Sequence, residues 1–390
     1  MVQKFQIRSL VLSFIYFIVE RIIFRILEII VPVKSDLILF GSGFNRFSDN
    51  PKYLFLYFVE NGRYCPIWIS SNREEVKKLK AKGYNCSYKW GIKTLFLVVR
   101  AKYFIISHNV KDVFPVIPQR GIIINLWHGT PIKKIGLDSR IEKEWIENMV
   151  RSGRTLPYER WDYFVTATDY TSSIFKSAMN LPSFKLKPLG QPRTDSLYKA
   201  SIDDKIKTDI EEGLINSDLL KGKKKILYAP TFRNNATSDS VIMESLIKID
   251  NAIGKNSGTV VLFKPHPLNK IKFQGDLFSK RSNIIDVSDE DTQELLCVID
   301  ILITDYSSIM FDFMITQKPI ISYIFDIEEY LMENGELYFS FRELGTIVVN
   351  NPDELVSSIF NIDSLLIDYD VLKFNTVFSC NEIDNFIKVL

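Results

Sequence analysis

The chain has 390 residues, of which 46% are hydrophobic and 25% are charged. This length predicts two domains, and the composition excludes a disordered or collagen-like chain. The formal net charge of +2 gives no reason to expect nucleic-acid binding. The four cysteines form neither a CxxC pair nor a compact zinc knuckle, so we expect them to be buried small residues in a reducing cytoplasm.

The N-terminal segment, residues 1–33, is strongly apolar from residue 9 onward. Its longest charge-free run, residues 9–19, is shorter than the ~20 residues of a membrane-spanning helix. Three charged residues fall on one side of a helical wheel: Arg21, Arg25 and Glu28. This predicts an amphipathic helix in the membrane interface. The alternatives are a helix packed against the domain core and a signal peptide, which the lack of a small-residue cleavage site disfavours.

From Asp36 onward, short β-rich runs alternate with longer segments of mixed polarity, a pattern typical of βαβ units and a mostly parallel sheet. The predicted strands are DLILFG, CPIWIS, YFIISH, GIIINLW and YFVTAT. After the first strand, Asn50 can cap a helix, Pro51 suits its first position and Gly62 ends it. These elements predict an N-terminal Rossmann-like domain over residues 34–190.

A second series of strands predicts a C-terminal Rossmann-like domain over residues 191–390. Its strands are contained in KKKILYAPTF, GTVVLFKPH, NIIDVS, DILITD and PIISYIF, with helices expected near 240–253, 292–299 and 308–316. Two doubly wound domains that face each other place a ligand in the cleft between the carboxyl ends of their strands.

Four short motifs each follow one of these strands, where an α/β fold gathers its functional loops: WHGT, APTFR, KPHP and TDYSS. Together they predict a phosphate pocket. Thr231 and Arg233 come from APTFR, and the arginine is suited to bidentate phosphate binding. Lys264 and His266 alternate with prolines that restrict the backbone, so both side chains can be presented at one site. The alternative for His266 is a structural loop histidine.

The TDYSS motif is the sharpest of the four. Ser307 and Ser308 are placed to open a helix, where backbone N–H groups and hydroxyls favour an anion such as pyrophosphate. Asp312 lies one turn further along the same face and can accept hydrogen bonds from ligand hydroxyls. The alternative is that Asp305 and the serines are only a helix cap.

Two other patterns are weaker. The segment Asp289–Glu290–Asp291 spells a DxD sequence, which can hold a divalent metal, but it also precedes a predicted helix, and we favour the cap. The glycines of GSG after the first strand lack the third glycine of a dinucleotide fingerprint. The chain has no Walker A, zincin or GxSxG motif.

Six segments in this order resemble the CDP-glycerol glycerophosphotransferase family, the teichoic-acid primases and polymerases with their ribitolphosphate relatives: SDNPKYLFLYF, LWHGTPIKKIG, GQPRTDSLY, YAPTFR, KPHP and LITDYSSIMFDF. The resemblance covers residues 47–323. It implies a GT-B fold in which the C-terminal domain holds a CDP-alcohol and a lipid-linked acceptor approaches from the N-terminal domain.

The resemblance also implies site residues. His128 becomes the general base, within an active-site loop that includes Gly129, Thr130, Pro131 and Ile132. Arg193 of GQPR becomes a phosphate contact. His266 is the second expected catalytic residue. The CDP-alcohol site is completed by these residues: Pro230, Thr231, Arg233, Lys264, Pro265, His266, Ser307, Ser308 and Asp312.

The implied reaction is attack by an acceptor hydroxyl on the alcohol-bearing phosphorus of CDP-glycerol or CDP-ribitol, with release of CMP. His266, the two arginines and the serine-led helix would neutralise the pyrophosphate, a task that Mg²⁺ performs elsewhere, so neither a metal nor another cofactor is expected. Expected partners are an undecaprenyl-type lipid-linked glycan, the cytoplasmic face of the cell membrane and proteins of envelope polymer synthesis. The rival functions are a GT-B glycosyltransferase that uses a nucleotide sugar and a non-enzymatic scaffold.

Overall fold

The computed structural model describes residues 24–233, 236–254, 258–266, 283–362 and 367–390. Its strands are β1 (Lys34–Phe40), β2 (Cys65–Ser70), β3 (Cys86–Tyr88), β4 (Ala101–Ile106), β5 (Ile122–Asn125), β6 (Tyr163–Thr166), β7 (Leu186–Pro188), β8 (Lys224–Ala229), β9 (Thr259–Phe263), β10 (Ile284–Asp286), β11 (Ile301–Thr304), β12 (Ile320–Tyr323) and β13 (Ile347–Val349). They form a seven-stranded sheet in the order β3-β2-β1-β4-β5-β6-β7 and a six-stranded sheet in the order β10-β9-β8-β11-β12-β13. Both sheets are parallel, so the predicted α/β fold of two Rossmann-like domains is confirmed.

Helices cover the faces of these sheets. They are α1 (Phe24–Ile30), α2 (Asp49–Asn61), α3 (Arg73–Ala81), α4 (Ile92–Arg100), α5 (Lys143–Arg151), α6 (Asp169–Met179), α7 (Pro192–Ile202), α8 (Asp204–Gly213), α9 (Ser217–Leu220), α10 (Ala236–Ile253), α11 (Thr292–Val298), α12 (Ile309–Phe313), α13 (Ile327–Asn334), α14 (Pro352–Phe360), α15 (Val371–Phe374) and α16 (Ser379–Lys388). The three helices predicted in the second series correspond to α10, α11 and α12.

The central strands are apolar on both faces because each face is covered by helices. In β1, Leu37 and Leu39 enter one core cluster while Ile38 and Phe40 enter another, and all four are at most 2% exposed. Such continuous apolar runs are typical of parallel sheets, in which neither face is solvated.

The strand orders define where a ligand crevice lies in each domain. In the first sheet the chain moves outward from β1 through β2 to β3 and then returns to the other side with β4; in the second, β8 lies between β9 and β11. These are topological switch points, where loops at the carboxyl ends of neighbouring strands separate and leave a crevice. The loops after β1, β4, β8 and β11 flank these switch points, and the loop after β5 lies next to the loop after β4.

The chain ends on the first domain. Cys380, Ile383 and Ile387 of α16 are buried in the core cluster that contains Ile38 and Phe40 of β1. The last helix thus packs on the N-terminal sheet because its apolar face completes that core. The boundaries 34–190 and 191–390 stay a prediction.

The N-terminal helix prediction lies mostly outside the described residues, which begin at Phe24. From there, Phe24 is 2% exposed within the first domain's core, while Ile29 is 87% exposed on the same short helix. Arg120 donates to the backbone carbonyls of Glu28 and Val31. This end of the segment packs on the domain and still presents apolar side chains outward. No described helix is long and apolar enough to cross a membrane.

Candidate active site

His128 lies in a tight turn after β5, at the carboxyl edge of the first sheet. The preceding Trp127 has φ of 55°, a left-handed conformation that is uncommon for a bulky residue. The turn is held because the Trp127 N–H donates to the side chain of Asn125 at 2.7 Å and the indole packs against Phe164 and Phe175. This strained turn presents the imidazole beyond the end of the strand.

The hydrogen bond made by His128 fixes its tautomer. Its Nδ1 lies 3.2 Å from the carbonyl oxygen of Ser107, which can only accept, so Nδ1 carries the proton and Nε2 has a free lone pair. Burial, followed by the charges of His108 and Arg193, lowers the pKa of His128 to about 3 despite the opposing effect of the hydrogen bond to Ser107. The imidazole is therefore neutral at physiological pH and able to accept a proton.

Gly129 brings the second domain close to the turn. It has φ of 137°, and a Cβ atom at this position would lie 2.6 Å from Nη2 of Arg193 and 2.9 Å from Oγ of Ser308. Only glycine combines this backbone conformation with so close an approach. Gly129, which follows His128 in the chain, thus meets Arg193 and Ser308 across the domain boundary.

A cavity of about 180 Å³ lies at this meeting point. Its lining comes from both domains: Trp127, His128, Gly129, Thr130, Pro131, Ile132, Lys133, Ile135, Tyr306 and Ser308. Within this set Thr130 and Ile132 are 1% and 3% exposed, and Ile132 also enters the core of the second domain. The loop after His128 is anchored there by a hydrogen bond from the Tyr338 N–H to the Ile132 carbonyl oxygen at 2.8 Å.

Arg193, at the start of α7, is buried between two carboxylates. Its guanidinium lies 3.2 Å from Asp49 of the first domain and 2.8 Å from Asp312 of the second, and it donates to the carbonyl oxygen of His128 at 2.7 Å. Asp312 is fully buried and also accepts from Gln293 at 2.8 Å. Arg193 was predicted to bind phosphate and Asp312 to accept hydrogen bonds from ligand hydroxyls, and here the two side chains bind each other. Their roles toward a substrate stay predictions.

Asn50 supports the same turn from the first domain. Its side-chain amide donates to the carbonyl oxygens of Leu126 and Trp127, and its oxygen accepts the Arg193 N–H. The expectation that Asn50 caps α2 is therefore wrong, because the helix begins at Asp49 and the Asn50 side chain is used for this contact. The predicted helix end at Gly62 is confirmed by its left-handed φ of 64°.

Arg233 lies in a second buried ion cluster. Its guanidinium contacts Asp305 and Asp326, each at 2.8 Å, while Asp305 also accepts the Thr231 N–H at 3.0 Å. The adjacent Pro230 is buried at the end of β8. Arg233 thus links the APTFR loop to Asp305 of TDYSS. The bidentate contact that was expected with a phosphate is made with the carboxylate of Asp326.

The serines of TDYSS lie at the beginning of α12, as predicted. Ser308 precedes the helix but makes no side-chain cap bond, and Ser307 accepts from the Ile309 N–H at a long 3.4 Å. Asp305 points to the APTFR loop instead of capping the helix. The cap interpretation therefore accounts for little of this motif, and Ser308 lines the cavity.

Lys264 and His266 follow β9, with Pro265 buried between them. The Lys264 ammonium donates to three carbonyl oxygens of the loop before α11, the shortest contact being 2.7 Å to Glu290. Burial lowers the pKa of Lys264, and it also lowers that of His266, on which the charge of Arg46 from the first domain acts in the same direction. His266 is therefore close enough to the first domain to feel the charge of Arg46, and neither Lys264 nor His266 is among the described residues that line the cavity at His128.

The DxD segment is a helix cap, as favoured from the sequence. Asp291 accepts the N–H groups of Gln293 and Glu294 at the start of α11. It also receives Lys52 of the first domain at 2.8 Å, which the sequence did not indicate. The described residues contain no cluster of three or more His, Cys, Asp or Glu side chains suited to a metal ion, and the expectation that no metal or cofactor is required stays a prediction.

Sequence reasoning left two residues of the site without a role. Lys133 lines the cavity, with its ammonium 5.9 Å from the ring centre of Tyr330, and burial lowers its pKa. The His108 ring stacks on His128 with centroids 4.0 Å apart. A signal for His108 was present, because it ends the predicted strand YFIISH next to the strand that leads to His128.

Comparisons with known proteins identify the family of the chain. The model of the CDP-glycerol:poly(glycerophosphate) glycerophosphotransferase family matches residues 23–377. A teichoic acid glycerol-phosphate transferase of Staphylococcus aureus is 30% identical over 374 residues, which cover 93% of this chain and 92% of the relative. A teichoic acid ribitol-phosphate polymerase of the same organism, TarK, is 30% identical over 62% of this chain and 46% of its own length.

A solved structure agrees with these relatives. The wall teichoic acid polymerase TagF, as a variant soaked with CDPG, superposes with a TM-score of 0.68 at 26% identity, over 91% of this chain and 84% of that one. The family match spans both Rossmann-like domains and every motif loop described above. The chain therefore belongs to the CDP-glycerol:poly(glycerophosphate) glycerophosphotransferase family.

Proposed function

We propose that the protein transfers a polyol phosphate, most simply glycerol phosphate, from a CDP-alcohol to a hydroxyl group of a lipid-linked glycan or growing polymer, releasing CMP. Teichoic acid glycerol-phosphate and ribitol-phosphate enzymes are both among its relatives, and both classes are CDP-alcohol phosphotransferases. The observation that carries the proposal is a neutral His128 at a cavity built by both domains.

His128 acts as the general base. Its Nδ1–H is held by the Ser107 carbonyl, so Nε2 accepts the proton of the acceptor hydroxyl as the oxygen attacks phosphorus. The bond from phosphorus to the CMP oxygen breaks as the new phosphodiester bond forms. Such proton transfer contributes about 10²–10⁴-fold to a rate.

The electrostatic roles differ from those expected for the arginines. Arg193 and Arg233 each contact two carboxylates, so neither cluster carries net positive charge. Lys264 and Lys133 form no ion pair with a described carboxylate, and both are partly buried. We assign charge neutralisation on the diphosphate to Lys133, which lines the cavity, with Ser308 as a hydrogen-bond donor. Lys264 contributes by its charge alone, because its ammonium already donates to three backbone carbonyl oxygens.

In this proposal the arginine clusters position the loops instead. Arg193 holds the His128 carbonyl between the domains, and Arg233 holds APTFR against TDYSS. His266, whose pKa burial lowers, serves as a neutral hydrogen-bonding group for the donor rather than as a cation. No step in this scheme requires a metal ion.

The acceptor approaches from the first domain at the cytoplasmic face of the membrane. The apolar segment 1–33 supports this placement by its sequence, and the described part of α1 leaves Ile29 and Ile30 exposed next to it. Partners in envelope polymer synthesis fit the same location.

The test is a CMP-release assay with a polyprenyl-linked glycan acceptor. The purified protein is incubated separately with CDP-glycerol, CDP-ribitol and UDP-sugars, and nucleotide release and labelled lipid product are followed together. CMP release with transfer of the polyol phosphate supports the proposal and identifies the polyol. Release of UDP alone would favour the glycosyltransferase reading, and binding without any transfer would favour a scaffold.

A further inference from the structure

Two of the three histidines of the chain form a stacked pair at the candidate active site. Strands β4 and β5 are parallel neighbours with Ile106 opposite Asn125, so the loops that follow them emerge side by side. His108 and His128 lie on these loops, with ring centroids 4.0 Å apart and planes inclined by only 6°.

The stack is held from several sides. The Asn125 side chain donates to the His108 carbonyl oxygen and accepts the Trp127 N–H, so one amide ties the two loops together. The carboxylate of Asp112 accepts the backbone N–H of His108 at 2.7 Å. A Cβ atom on Gly43 would lie 2.4 Å from the His108 ring, so glycine is needed there to admit the imidazole.

The ring of His108 is oriented as well as placed. Its Nδ1 lies 2.8 Å from the Ser107 hydroxyl, which also accepts the Gly43 N–H at 3.1 Å. Ser107 therefore contacts both imidazoles, through its hydroxyl at His108 and through its carbonyl at His128. Neither ring can turn freely while these contacts persist.

We propose that His108 is a positioning residue for the general base: its ring supplies the face that orients the His128 imidazole, and the closeness of the two rings disfavours protonation of both at once. The proposal rests on the proposed function of His128, but nothing in the family match assigns a role to His108. In the transfer step the acceptor O–H proton moves to Nε2 of His128 and later to solvent, while His108 neither gains nor loses an atom.

The charges around the two histidines affect how readily His128 is protonated. Two partly buried imidazolium rings at 4.0 Å would repel each other, and Arg193 adds a positive charge from α7. Asp49 on α2 is the opposing charge, and it faces His108 and Arg193. Burial makes the largest contribution to the low pKa of His128, and the charge of His108 makes the next largest.

Two substitutions separate the two roles. His108→Phe keeps an aromatic face and removes the charge, so the pKa of His128 should rise but stay below its ordinary value because burial remains. The acidic limb of the kcat/KM profile should move to higher pH with it, since a base is lost when it is protonated. His108→Asn keeps a polar group near Ser107 and removes the face, so kcat at pH 7.5 should fall about 10- to 100-fold with an unchanged KM for CDP-glycerol.

The measurement is an NMR titration of the full chain with labelled histidine, in which three imidazoles are observed and His128→Gln and His266→Gln assign them. The proposal is supported if His128 titrates at higher pH in His108→Phe than in the wild type and if kcat falls in His108→Asn. It is overturned if His128 titrates at the same pH in both proteins, or if both variants keep the wild-type kcat and pH profile. Thermal melting of each variant confirms that it is folded.

This design also separates the two proposals. A wild-type protein that releases no CMP contradicts the proposed function, yet the NMR titration still reports the coupling between the two rings. A wild-type protein that releases CMP while neither variant alters the titration or the rate contradicts the role of His108 alone.

Discussion

The sharpest test of the interdomain site is the removal of the Arg193 guanidinium. In Arg193→Met the side chain keeps much of its length, but Asp49 and Asp312 lose the charge that lies 3.2 and 2.8 Å away. Asp312 is fully buried, so its carboxylate retains only Gln293 among the described side chains that donate to it. Breaking one side of a buried ion pair costs about 3–5 kcal/mol because the remaining charge is uncompensated.

Urea unfolding followed by tryptophan fluorescence measures this cost. With a slope of about 2–3 kcal/mol per molar urea, the midpoint of the transition that reports the site should fall by roughly 1–2.5 M. Arg151→Met is the matched control, because Arg151 forms an ion pair with Glu147 at 3.0 Å on an exposed helix face. Exposed pairs of this kind contribute about 0.3–0.5 kcal/mol, so its midpoint should change by about 0.2 M or less.

A double variant tests the physical cause. Arg193→Met combined with Asp312→Asn removes the uncompensated charge while Asn can still accept from Gln293, so it should unfold at higher urea than Arg193→Met alone. The reasoning is refuted if Arg193→Met unfolds at the same urea concentration as Arg151→Met. It is also refuted if adding Asp312→Asn lowers the urea midpoint again by as much as Arg193→Met did.

Three further outcomes are expected. His128→Ala should lower kcat by about 10²–10⁴-fold while calorimetry finds CDP-glycerol affinity within about threefold of wild type, and unchanged turnover would remove the histidine from the mechanism. Lys264→Met should raise KM for CDP-glycerol by about tenfold or more because a positive charge assigned to the diphosphate is lost, whereas Lys248→Met, which removes an ion pair with Asp353, should leave steady-state constants unchanged; equal effects would argue against the assignment. Gly129→Ala should reduce kcat and thermal stability together, since its Cβ would lie 2.6 Å from Arg193, and a fully active variant would show that the approach is not required.

Much of the fold was predictable because the determining signals are local. The runs that became β1, β2, β4, β5 and β6 are continuous and apolar, as strands buried on both faces must be. The strands missed, β3, β7 and β13, have only three residues each, which leaves little pattern to detect; of the three-residue strands only β10 was predicted, within NIIDVS. Gly62 ends α2 as predicted because a left-handed helix end is a property of that residue in its own turn.

For the candidate site, the sequence predicted which motifs take part but not which partners their side chains have. Arg233 and Arg193 were expected to hold phosphate because an arginine after a strand can do so, but whether a guanidinium is available depends on what the fold places beside it. Asp326 lies 93 residues from Arg233, and Asp49 lies 144 residues from Arg193. Contacts over such separations carry no local signal in the chain.

The sequence by itself determined the alternation of strands and helices, the placement of four motifs at strand ends and the family, since each depends on residue type and short spacing. The tertiary structure alone decided the charge balance: it engaged both arginines with carboxylates, whereas Lys133 and Lys264 form no ion pair with a described carboxylate. It also stacked His108 on His128, because the parallel pairing of β4 and β5 brings their loops together. The physical reason is that pKa, charge balance and ring contact depend on neighbours in space, which only the folded chain supplies.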